Sequence, residues 1–310
     1  MPTAVTQIGL KSLPLVTTGK VRELYRIDET TLLMAVTDRI SAFDVVLDSG
    51  IPDKGAILCQ MSAHWFSVLG SQVPGLRYHM LSTDAPATPS VVTADEAAAL
   101  RGRCLQVRSL KVFPIEAIVR GYITGSAWAE YERAGTVHGL GQPEGLRRCD
   151  RFPGGPIYTP STKAPAGGSD ENISPDRARE IVGDRYADRI QSLALALYGA
   201  AHAYALERGI VLADTKFEFG LDEATDDIVL VDEVLTPDSS RFWPAPVRVG
   251  VDQPSFDKQY VRQYLIDNGL KGKQGVSLPD DVVRETTAKY REVFEKLTGR
   301  SIDDALADLK

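Results

Sequence analysis

Hydrophobic and polar positions along the first third of the chain follow two different periods. Residues 21–27 alternate in character and residues 31–37 (TLLMAVT) form an apolar run, so both segments predict strands. Between residues 55 and 69 the apolar positions recur at near-helical spacing, which predicts a helix. Two more strands are predicted at 104–108 and 112–120. The first part of the chain is therefore expected to be rich in strands.

The second half of the chain mixes helical and extended patterns after an irregular stretch at residues 135–174. A loop this long inside a compact protein is usually functional or mobile. Ser174 followed by Pro175 is typical of a helix start, and a long helical pattern covers residues 186–208. The remaining predicted strands are 210–214, 215–220 and 228–233, and the remaining predicted helices are 255–267, 279–297 and 301–309.

This order of elements predicts an α+β fold with antiparallel sheets rather than a doubly wound parallel sheet. The chain has 310 residues, which is more than one typical domain, so two lobes are expected. We place the boundary near residues 110–114. It divides the chain into a strand-rich N-terminal lobe, 1–113, and a C-terminal α+β lobe, 114–310.

Composition narrows the possible functions. The formal net charge of −7 argues against a broad basic surface for nucleic acid, although a local positive cleft for small anions remains compatible with it. The three cysteines show no metal-ligand or disulfide spacing, so we expect reduced, partly buried thiols. No apolar run approaches the roughly 18 residues of a membrane span, and the N-terminus lacks a signal-peptide pattern. We therefore expect a soluble, cytoplasmic protein.

Three segments near strand ends could bind a ligand. In TGKVR, Gly19 lets the backbone approach a phosphate and Lys20 supplies a compact positive charge. The DRISAFD segment, which begins at Asp38, follows a predicted strand directly. In RGYITGSAW, Arg120 and the helix start at Ser126 could together form a phosphate site. Each pattern alone also has a purely structural explanation. TGKVR could be a surface turn, DRISAFD a solvated loop, and the start of GSAW a plain helix cap.

Two later segments are candidates of the same kind. Lys163 and Asn172 lie in the irregular stretch and could supply donors from a loop that closes on a substrate, or the stretch could be a disordered linker. In TPDSSRFW, Arg241 follows a turn and adjoins two aromatic residues, which suits either an anion clamp or a structural turn.

The sharpest pattern is DTKFEFG, which begins at Asp214. Alternation places Asp214, Lys216 and Glu218 on one face of a strand and the phenylalanines on the other. A hairpin with the next strand would bring Glu218 close to Asp232 or Glu233. Clustered carboxylates near a phosphate site offer the hard oxygen ligands of Mg²⁺, and Lys216 would offset their repulsion. An exposed charged strand face would give the same alternation.

Taken together, these segments resemble the SAICAR synthetase family, also called phosphoribosylaminoimidazole-succinocarboxamide synthases. The resemblance covers about residues 15 to 270 and is closer to the longer, yeast-like form than to the short bacterial form. It is carried by six segments that occur in the expected order: GKVRELY, DRISAFD, LKVFPIEAIVRGYITGSAW, STKAP…DENIS, ADTKFEFG and VDEVLTPDSSRFWP. The resemblance implies a two-lobed fold related to ATP-grasp enzymes, with a nucleotide cleft between the lobes.

The resemblance also implies roles for individual residues. Lys216, Glu218 and Asp232 would be catalytic, and Glu218 and Asp232 would hold Mg²⁺, with Glu233 as an alternative to Asp232. ATP would contact Gly19, Lys20, Arg22, Lys111, Val112, Phe113, Asp214 and Lys216. The ribonucleotide and aspartate would contact Asp38, Ser41, Asp44, Arg120, Ser126, Lys163, Asp170, Asn172 and Arg241. One departure is Ser169, which stands where the family is expected to have a histidine.

The implied activity is an ATP-dependent ligation of L-aspartate to a carboxylated aminoimidazole ribonucleotide through an acyl phosphate. The implied partners are these small molecules, with no nucleic acid and no membrane, and the implied state is a monomer. Three alternatives stay open. They are another carboxylate–amine ligase on the same scaffold, a small-molecule kinase, which the lack of an HRD-like segment disfavours, and a nucleotide-binding module, which the carboxylates around Lys216 disfavour.

Overall fold

The computed structural model describes residues 3–87, 89–163 and 170–309. One part of the fold is a five-stranded antiparallel sheet with the strand order β1-β2-β3-β8-β7. A separate hairpin, β4–β5, follows β3 in the chain. The strands of these two units are β1 (Leu15–Thr18), β2 (Arg22–Arg26), β3 (Thr31–Val36), β4 (Arg39–Ala42), β5 (Val45–Gly50), β7 (Met80–Ser82) and β8 (Cys104–Arg108).

The larger sheet has eight strands and is built around one long strand, β15. Its main order is β13-β10-β15-β16-β6, and β14, β9 and β17 pair along its edges. All pairs are antiparallel except β16–β6. The strands are β6 (Arg77–Tyr78), β9 (Lys111–Val112), β10 (Ile115–Arg120), β13 (Ile157–Tyr158), β14 (Ser161–Thr162), β15 (Ile210–Asp222), β16 (Asp227–Val231) and β17 (Ser240–Pro244). A small hairpin consists of β11 (Thr136–Val137) and β12 (Leu140–Gly141).

The helices pack against these sheets and against one another. They are α1 (Lys54–Gln72), α2 (Ala94–Leu100), α3 (Gly125–Ala134), α4 (Pro175–Val182), α5 (Asp184–Leu206), α6 (Gln259–Asp267), α7 (Asp280–Thr298) and α8 (Ile302–Ala307). Ser174 caps α4 by accepting a hydrogen bond from the Arg177 backbone N–H, and Pro175 follows it as predicted. The α+β class with antiparallel sheets is confirmed.

Two predicted boundaries were wrong. Segments 210–214 and 215–220 are one continuous strand, because nothing between them breaks the ladder: Thr215 pairs with both Val119 and Ser240. The predicted strand 112–120 is instead interrupted after Val112. Pro114 has no backbone N–H to donate, and β9 and β10 pair with different parts of β15. The sequence patterns also missed α2 and most of the short strands, namely β1, β4–β7, β11–β14 and β17.

The largest hydrophobic core joins both halves of the chain. It contains Trp65 of α1, Leu197 of α5, Phe217 of β15 and Phe294 of α7, each at most 1% exposed. Strand β6, which precedes residue 113, belongs to the larger sheet through its pairing with β16. The division into lobes at residue 113 therefore stays a prediction.

Two expectations from composition can be compared with the structure. All three cysteines are free and buried, as predicted. Among the described residues, no helix combines the length and the apolar character needed to cross a membrane.

Candidate active site

A polar cleft of about 990 Å³ is lined by the turn between β1 and β2, the β4–β5 hairpin, the larger sheet and α6. It collects residues that lie far apart in the sequence. The predicted site residues on its walls are Gly19, Lys20, Arg22, Ser41, Asp44, Ser126, Lys163, Asp170, Lys216, Glu218, Asp232 and Arg241. One continuous cleft therefore unites most of the residues that the sequence patterns singled out.

Strand β15 presents Lys216 and Glu218 to the cleft because its side chains alternate. Phe217 and Phe219 take the opposite face and are at most 2% exposed in the core. The Lys216 ammonium donates to Glu218 Oε1 at 3.0 Å and to Glu116 Oε1 at 2.6 Å. Burial opposes the charge on Lys216, but the two carboxylates outweigh it and hold its pKa well above the ordinary value. Lys216 is therefore a fixed positive charge in the cleft.

The neighbouring carboxylates come from the end of β16. Glu218 pairs with Val231 in the β15–β16 ladder, so Asp232 and Glu233 follow directly beside it, as the predicted hairpin required. Arg22 of β2 forms ion pairs with both acids. Burial opposes ionisation of Asp232, but Arg22 and Lys216 prevail and lower its pKa to about 2. Asp232 is therefore ionised throughout the physiological range.

Two further cations touch the cleft carboxylates. Lys163 forms an ion pair with Glu218, and Lys20 forms one with Asp44. The first pair is partly buried, whereas both members of the second are about half exposed. The Lys20–Asp44 contact joins the β1–β2 turn to the β4–β5 hairpin and is more weakly held, since exposed ion pairs contribute little free energy.

A second group of charges surrounds Asp214, near the start of the polar part of β15. Its Oδ2 accepts from Arg120 at 2.9 Å and also from Arg241. Asp214 raises the pKa of Arg241, whereas burial lowers that of Arg120. Arg120 also reaches Ser126 Oγ at 3.5 Å, near the start of α3. Two guanidinium groups share one carboxylate here, which leaves net positive charge for an anion.

Gly125 determines how closely α3 approaches this group. Its φ is +56°, and a Cβ at this position would lie 2.6 Å from Nη2 of Arg241. Only glycine combines the left-handed backbone with this approach at no steric cost. The glycine of the GSAW segment therefore makes room for the arginine.

Sequence reasoning missed several residues of the cleft, among them Glu116, Asp238, Lys258 and Arg262. Glu116 on β10 bonds Lys216, as described above. Lys258 immediately precedes α6, and Arg262 lies one helical turn further along in the helix. Asp238 forms an ion pair with Lys258. Helix 255–267 was predicted, and two basic residues four positions apart share a face. That spacing was the only local signal, because their partners come from distant segments.

Seven predicted site residues do not line this cleft: Asp38, Lys111, Val112, Phe113, Arg120, Asn172 and Asp214. Arg120 and Asp214 lie behind it and position Arg241. Asp38 is 1% exposed, and its carboxylate accepts from the backbone N–H groups of Val5 and Gly55 and from Arg103, which fixes the start of α1.

Residues 111–113, which were predicted to contact ATP, lie beside β15 rather than on the cleft wall. Lys111 and Val112 are exposed and pair with Leu221 and Gly220, and the buried Phe113 donates its N–H to the Phe219 carbonyl. Asn172 is exposed beside Ser161. Residues 164–169, which include Ser169, lie outside the described residues.

The number and chemistry of the cleft carboxylates decide whether they suit Mg²⁺. In the part of the chain that is described, no three or more His, Cys, Asp or Glu side chains form a group that could hold a metal ion. Mg²⁺ in a nucleotide site needs only one or two protein carboxylates, because phosphates and water supply the other oxygens. Glu218 and Asp232 match that requirement, with Lys163 and Arg22 as their present partners.

Comparison with known proteins gives one consistent result. The model of the SAICAR synthetase family matches residues 15–279. The phosphoribosylaminoimidazole-succinocarboxamide synthase of Cyberlindnera jadinii is 51% identical over 302 residues, covering 96% of this chain and 99% of that protein.

Solved structures agree. A SAICAR synthase from Saccharomyces cerevisiae complexed with SAICAR superposes with a TM-score of 0.86 at 49% identity, covering 96% of this chain and 99% of that chain. A SAICAR synthetase in complex with ADP superposes with a TM-score of 0.65 at 26% identity, covering 92% and 98%.

Proposed function

The chain belongs to the SAICAR synthetase family, so it is an ATP-dependent ligase of purine biosynthesis, and we propose that its polar cleft carries out the whole reaction. The substrates are ATP, L-aspartate and the carboxylated aminoimidazole ribonucleotide. The products are the succinocarboxamide, ADP and phosphate. The chain is similar to its relatives over nearly their whole lengths. One related structure is a complex with SAICAR, and another is a complex with ADP.

The reaction has two chemical steps. An oxygen of the imidazole carboxylate attacks the γ-phosphorus of ATP, the bond to the β-phosphate oxygen breaks, and ADP leaves. The amine of aspartate then attacks the resulting acyl phosphate, loses a proton, and expels inorganic phosphate as the amide forms. Phosphoryl transfer asks mainly for positioning and charge neutralisation. A cleft that carries fixed ions of both signs is suited to that task.

The observation that carries the proposal is the arrangement of charges along β15. Asp214 gathers arginines at one end, and Lys216 and Glu218 stand two and four residues further along. Two residues of strand span about 7 Å. In this proposal, that distance along the strand would separate Asp214, where the phosphate of the ribonucleotide is anchored, from Lys216, where its carboxylate reacts. Arg241, supported by Arg120 and Asp214, would form this anchor with Ser126, Lys258 and Arg262.

At the other end, Lys216 would contact the transferring phosphoryl group. Its neighbours Glu116 and Glu218 hold the ammonium in place and keep it protonated. Gly19 and Lys20 would cover the ATP phosphates from the β1–β2 turn, and Arg22 would contact them from β2. Adenine would meet the backbone of residues 111–113, whereas Asp214 would act on the ribonucleotide, through Arg120 and Arg241, rather than on ATP.

Glu218 and Asp232 would hold Mg²⁺, whose chemistry when bound is to neutralise charge on the β- and γ-phosphate oxygens. The support is their position: two carboxylates lie side by side next to Lys216. Lys163 and Arg22 now neutralise these acids, and both would then be available to other anions in the cleft. Lys163, with Asp170 and Asn172, would be the group that receives aspartate, while Ser41 and Asp44 border the ribonucleotide.

We also propose that the chain acts as a cytosolic monomer. The support is its similarity to the long, yeast-like form of the family. Light scattering at working concentration would give a mass of about 33.8 kDa. A stable dimer that is required for activity would contradict the proposal.

The experiment that tests the function is ADP release with one substrate omitted at a time. The purified chain is supplied with Mg-ATP, the carboxylated ribonucleotide and L-aspartate. Release that requires the ribonucleotide, together with a product of the mass of the succinocarboxamide, supports the assignment. Binding of ATP without any release from the complete mixture would contradict it.

A further inference from the structure

Helix α7, the second-last helix of the described chain, reaches the cleft through a buried cluster of charged and polar residues that consists of Lys54, Asp238, Lys258 and Tyr290. Asp238 Oδ2 accepts from Lys54 at 2.8 Å and forms an ion pair with Lys258 at 3.1 Å, and Asp238 Oδ1 accepts from the Tyr290 hydroxyl at 2.7 Å. The four residues come from α1, the turn before β17, the residue preceding α6, and α7. The cluster therefore joins four elements at one carboxylate.

Exposure separates the members of the cluster into two kinds. Lys54 and Tyr290 are wholly buried, with no measurable exposed surface. Lys258 and Asp238 line the cleft, and the Lys258 side chain is 11% exposed. Only Lys258 can therefore bring the charge of the cluster to a ligand, and Lys54 and Tyr290 can act only through Asp238.

Burying a lysine at the start of a helix is costly unless its charge is paired. Lys54 could be replaced by an apolar side chain if packing were its only task. Instead it shares one carboxylate with Lys258, so the cluster holds two ammonium groups against a single Asp238. The Tyr290 hydroxyl donates a hydrogen bond to the other carboxylate oxygen of Asp238 and so restricts rotation of the carboxylate.

We propose that Tyr290 and Lys54 are positioning residues for the substrate site, which fix Asp238 so that it holds the Lys258 ammonium at the cleft wall. This inference rests on the proposed function, in which Lys258 contacts the anionic ribonucleotide. It gives α7, a helix without recognisable chemistry in its sequence, a part in substrate binding.

The pKa of Lys258 agrees with this geometry. Burial lowers it, and the positive charges of Lys54 and Arg262 lower it further. The carboxylates of Asp238 and Glu233 act in the opposite direction but do not cancel the shift. In this cluster, two ammonium groups face the single carboxylate of Asp238, so the positive charge of Lys258 is only partly neutralised. An anionic ligand in the cleft would neutralise the remainder.

The first test is Tyr290→Phe, which removes one hydroxyl and keeps the ring. Hydrogen bonds to charged groups matter more than neutral ones, so we expect KM for the ribonucleotide to rise about 3- to 10-fold. KM for ATP and kcat should change by less than about twofold. Tyr204→Phe is the matched control, because its hydroxyl donates to the Leu297 carbonyl of α7, at 3.1 Å, away from the cleft.

The second test is the pH profile of Lys54→Met. Removing one positive neighbour should raise the pKa of Lys258, so the alkaline limb of kcat/KM for the ribonucleotide should move to higher pH. A purely structural role for Lys54 would lower activity without moving that limb. If this variant does not fold, Tyr290→Phe decides alone.

The outcomes separate this inference from the proposed function. A wild-type chain that releases no ADP with the complete substrates overturns the function itself. If the wild type is active, the function stands and the variants test the positioning role alone. That role is overturned if Tyr290→Phe leaves KM for the ribonucleotide unchanged, changes KM for ATP equally, or behaves like Tyr204→Phe. A selective rise in KM for the ribonucleotide supports it.

Discussion

The Lys216 ammonium lies 2.6 Å from Oε1 of Glu116, a residue on the adjacent strand β10. The register that pairs Ala117 with Phe217 places Glu116 next to Glu218, so two carboxylates would repel each other across the sheet. Lys216 bonds both of them and removes that repulsion. Burial raises the pKa of Glu116 despite this partner, whereas the pKa of Lys216 stays high. Of these groups, Lys216 therefore keeps its charge most firmly.

Replacing Lys216 with methionine should therefore damage both activity and stability. We expect kcat/KM to fall about 100-fold or more, because a preorganised charge on the phosphoryl group is lost. We expect the free energy of unfolding to fall by about 1–3 kcal/mol, because two carboxylates lose their partner. Steady-state ADP release and urea unfolding measure the two effects.

The matched control adds Glu116→Gln to Lys216→Met. It removes one of the uncompensated charges, so stability should recover in part while activity does not. Activity of Lys216→Met within tenfold of the wild type would exclude a direct role in phosphoryl transfer.

Glu218→Gln should weaken binding of ATP only when magnesium is present. The amide is a poorer ligand for Mg²⁺ than the carboxylate, so affinity for Mg-ATP should fall about tenfold, or about 1.4 kcal/mol. Affinity in EDTA should barely change. Calorimetric titration with ATP in both buffers measures this without reference to turnover.

Glu233→Gln is the control for that experiment. Glu218 forms ion pairs with Lys163 and Lys216, and Glu233 forms one with Arg22, so both variants remove a carboxylate that is paired with cleft cations. If Asp232 is the second ligand, Glu233→Gln should leave the magnesium effect intact. Loss of the magnesium effect in Glu233→Gln but not in Asp232→Asn would assign the metal to Glu233 instead.

The ion pair of Asp232 should make stability depend on pH in the acid range. Its pKa in the folded chain is about 2, below the value of about 3.9 for an unfolded aspartate. The unfolded chain therefore takes up the proton first, so the contribution of the pair is complete above about pH 4 and is lost as pH falls towards 2.

The comparison with Asp232→Asn isolates this contribution, since asparagine tolerates the left-handed backbone that Asp232 adopts with φ of 63°. The difference in unfolding free energy between wild type and variant should shrink by about 1 kcal/mol between pH 6 and pH 3. Urea unfolding at the two pH values checks it, and an equal difference at both would contradict the ionised state of Asp232.

Gly125→Ala should act on the site through Arg241. A Cβ at residue 125 would lie 2.6 Å from the guanidinium, which must then move. We expect KM for the ribonucleotide to rise about tenfold, because a charged contact is displaced. The KM for ATP should change little.

Gly135→Ala provides the comparison on the same helix. Gly135 follows α3 with a similar φ of +66°, but a Cβ there would meet nothing within 4 Å. Both variants should lose about 1 kcal/mol of stability from the strained backbone. An equal rise in KM for both would mean that strain, and not the position of Arg241, controls binding.

Most elements could be predicted because their periodicity is local. The strand at 104–108 and the start of α4 are set by residues within a few positions of each other. The division of β15 into two strands failed for a physical reason. Residues 210–215 are buried on both faces, whereas Lys216 begins an alternation towards the cleft, and this change of burial on one continuous strand resembles a boundary.

The pairing of charges could not be predicted in the same way. The helix that contains Arg262 was expected, yet nothing local to it shows that Asp238 and Lys54 bring Lys258 to the same wall. Lys54 and Asp238 lie 184 positions apart in the chain. Pairing over such a separation depends on how α1 packs against α7 and how the turn before β17 is placed between them.

The sequence by itself therefore determined the α+β class, the family, and the alternation that sets Lys216 and Glu218 on one face of a strand. These follow from periods of two or 3.6 residues and from the order of short motifs, which do not depend on distant packing. Only the tertiary structure decided that Lys163 meets Glu218, 55 positions away, and that Arg22 meets Asp232, 210 positions away. Burial gives each charge a strong need for a partner, but the order of strands and the docking of helices choose which partner is within reach.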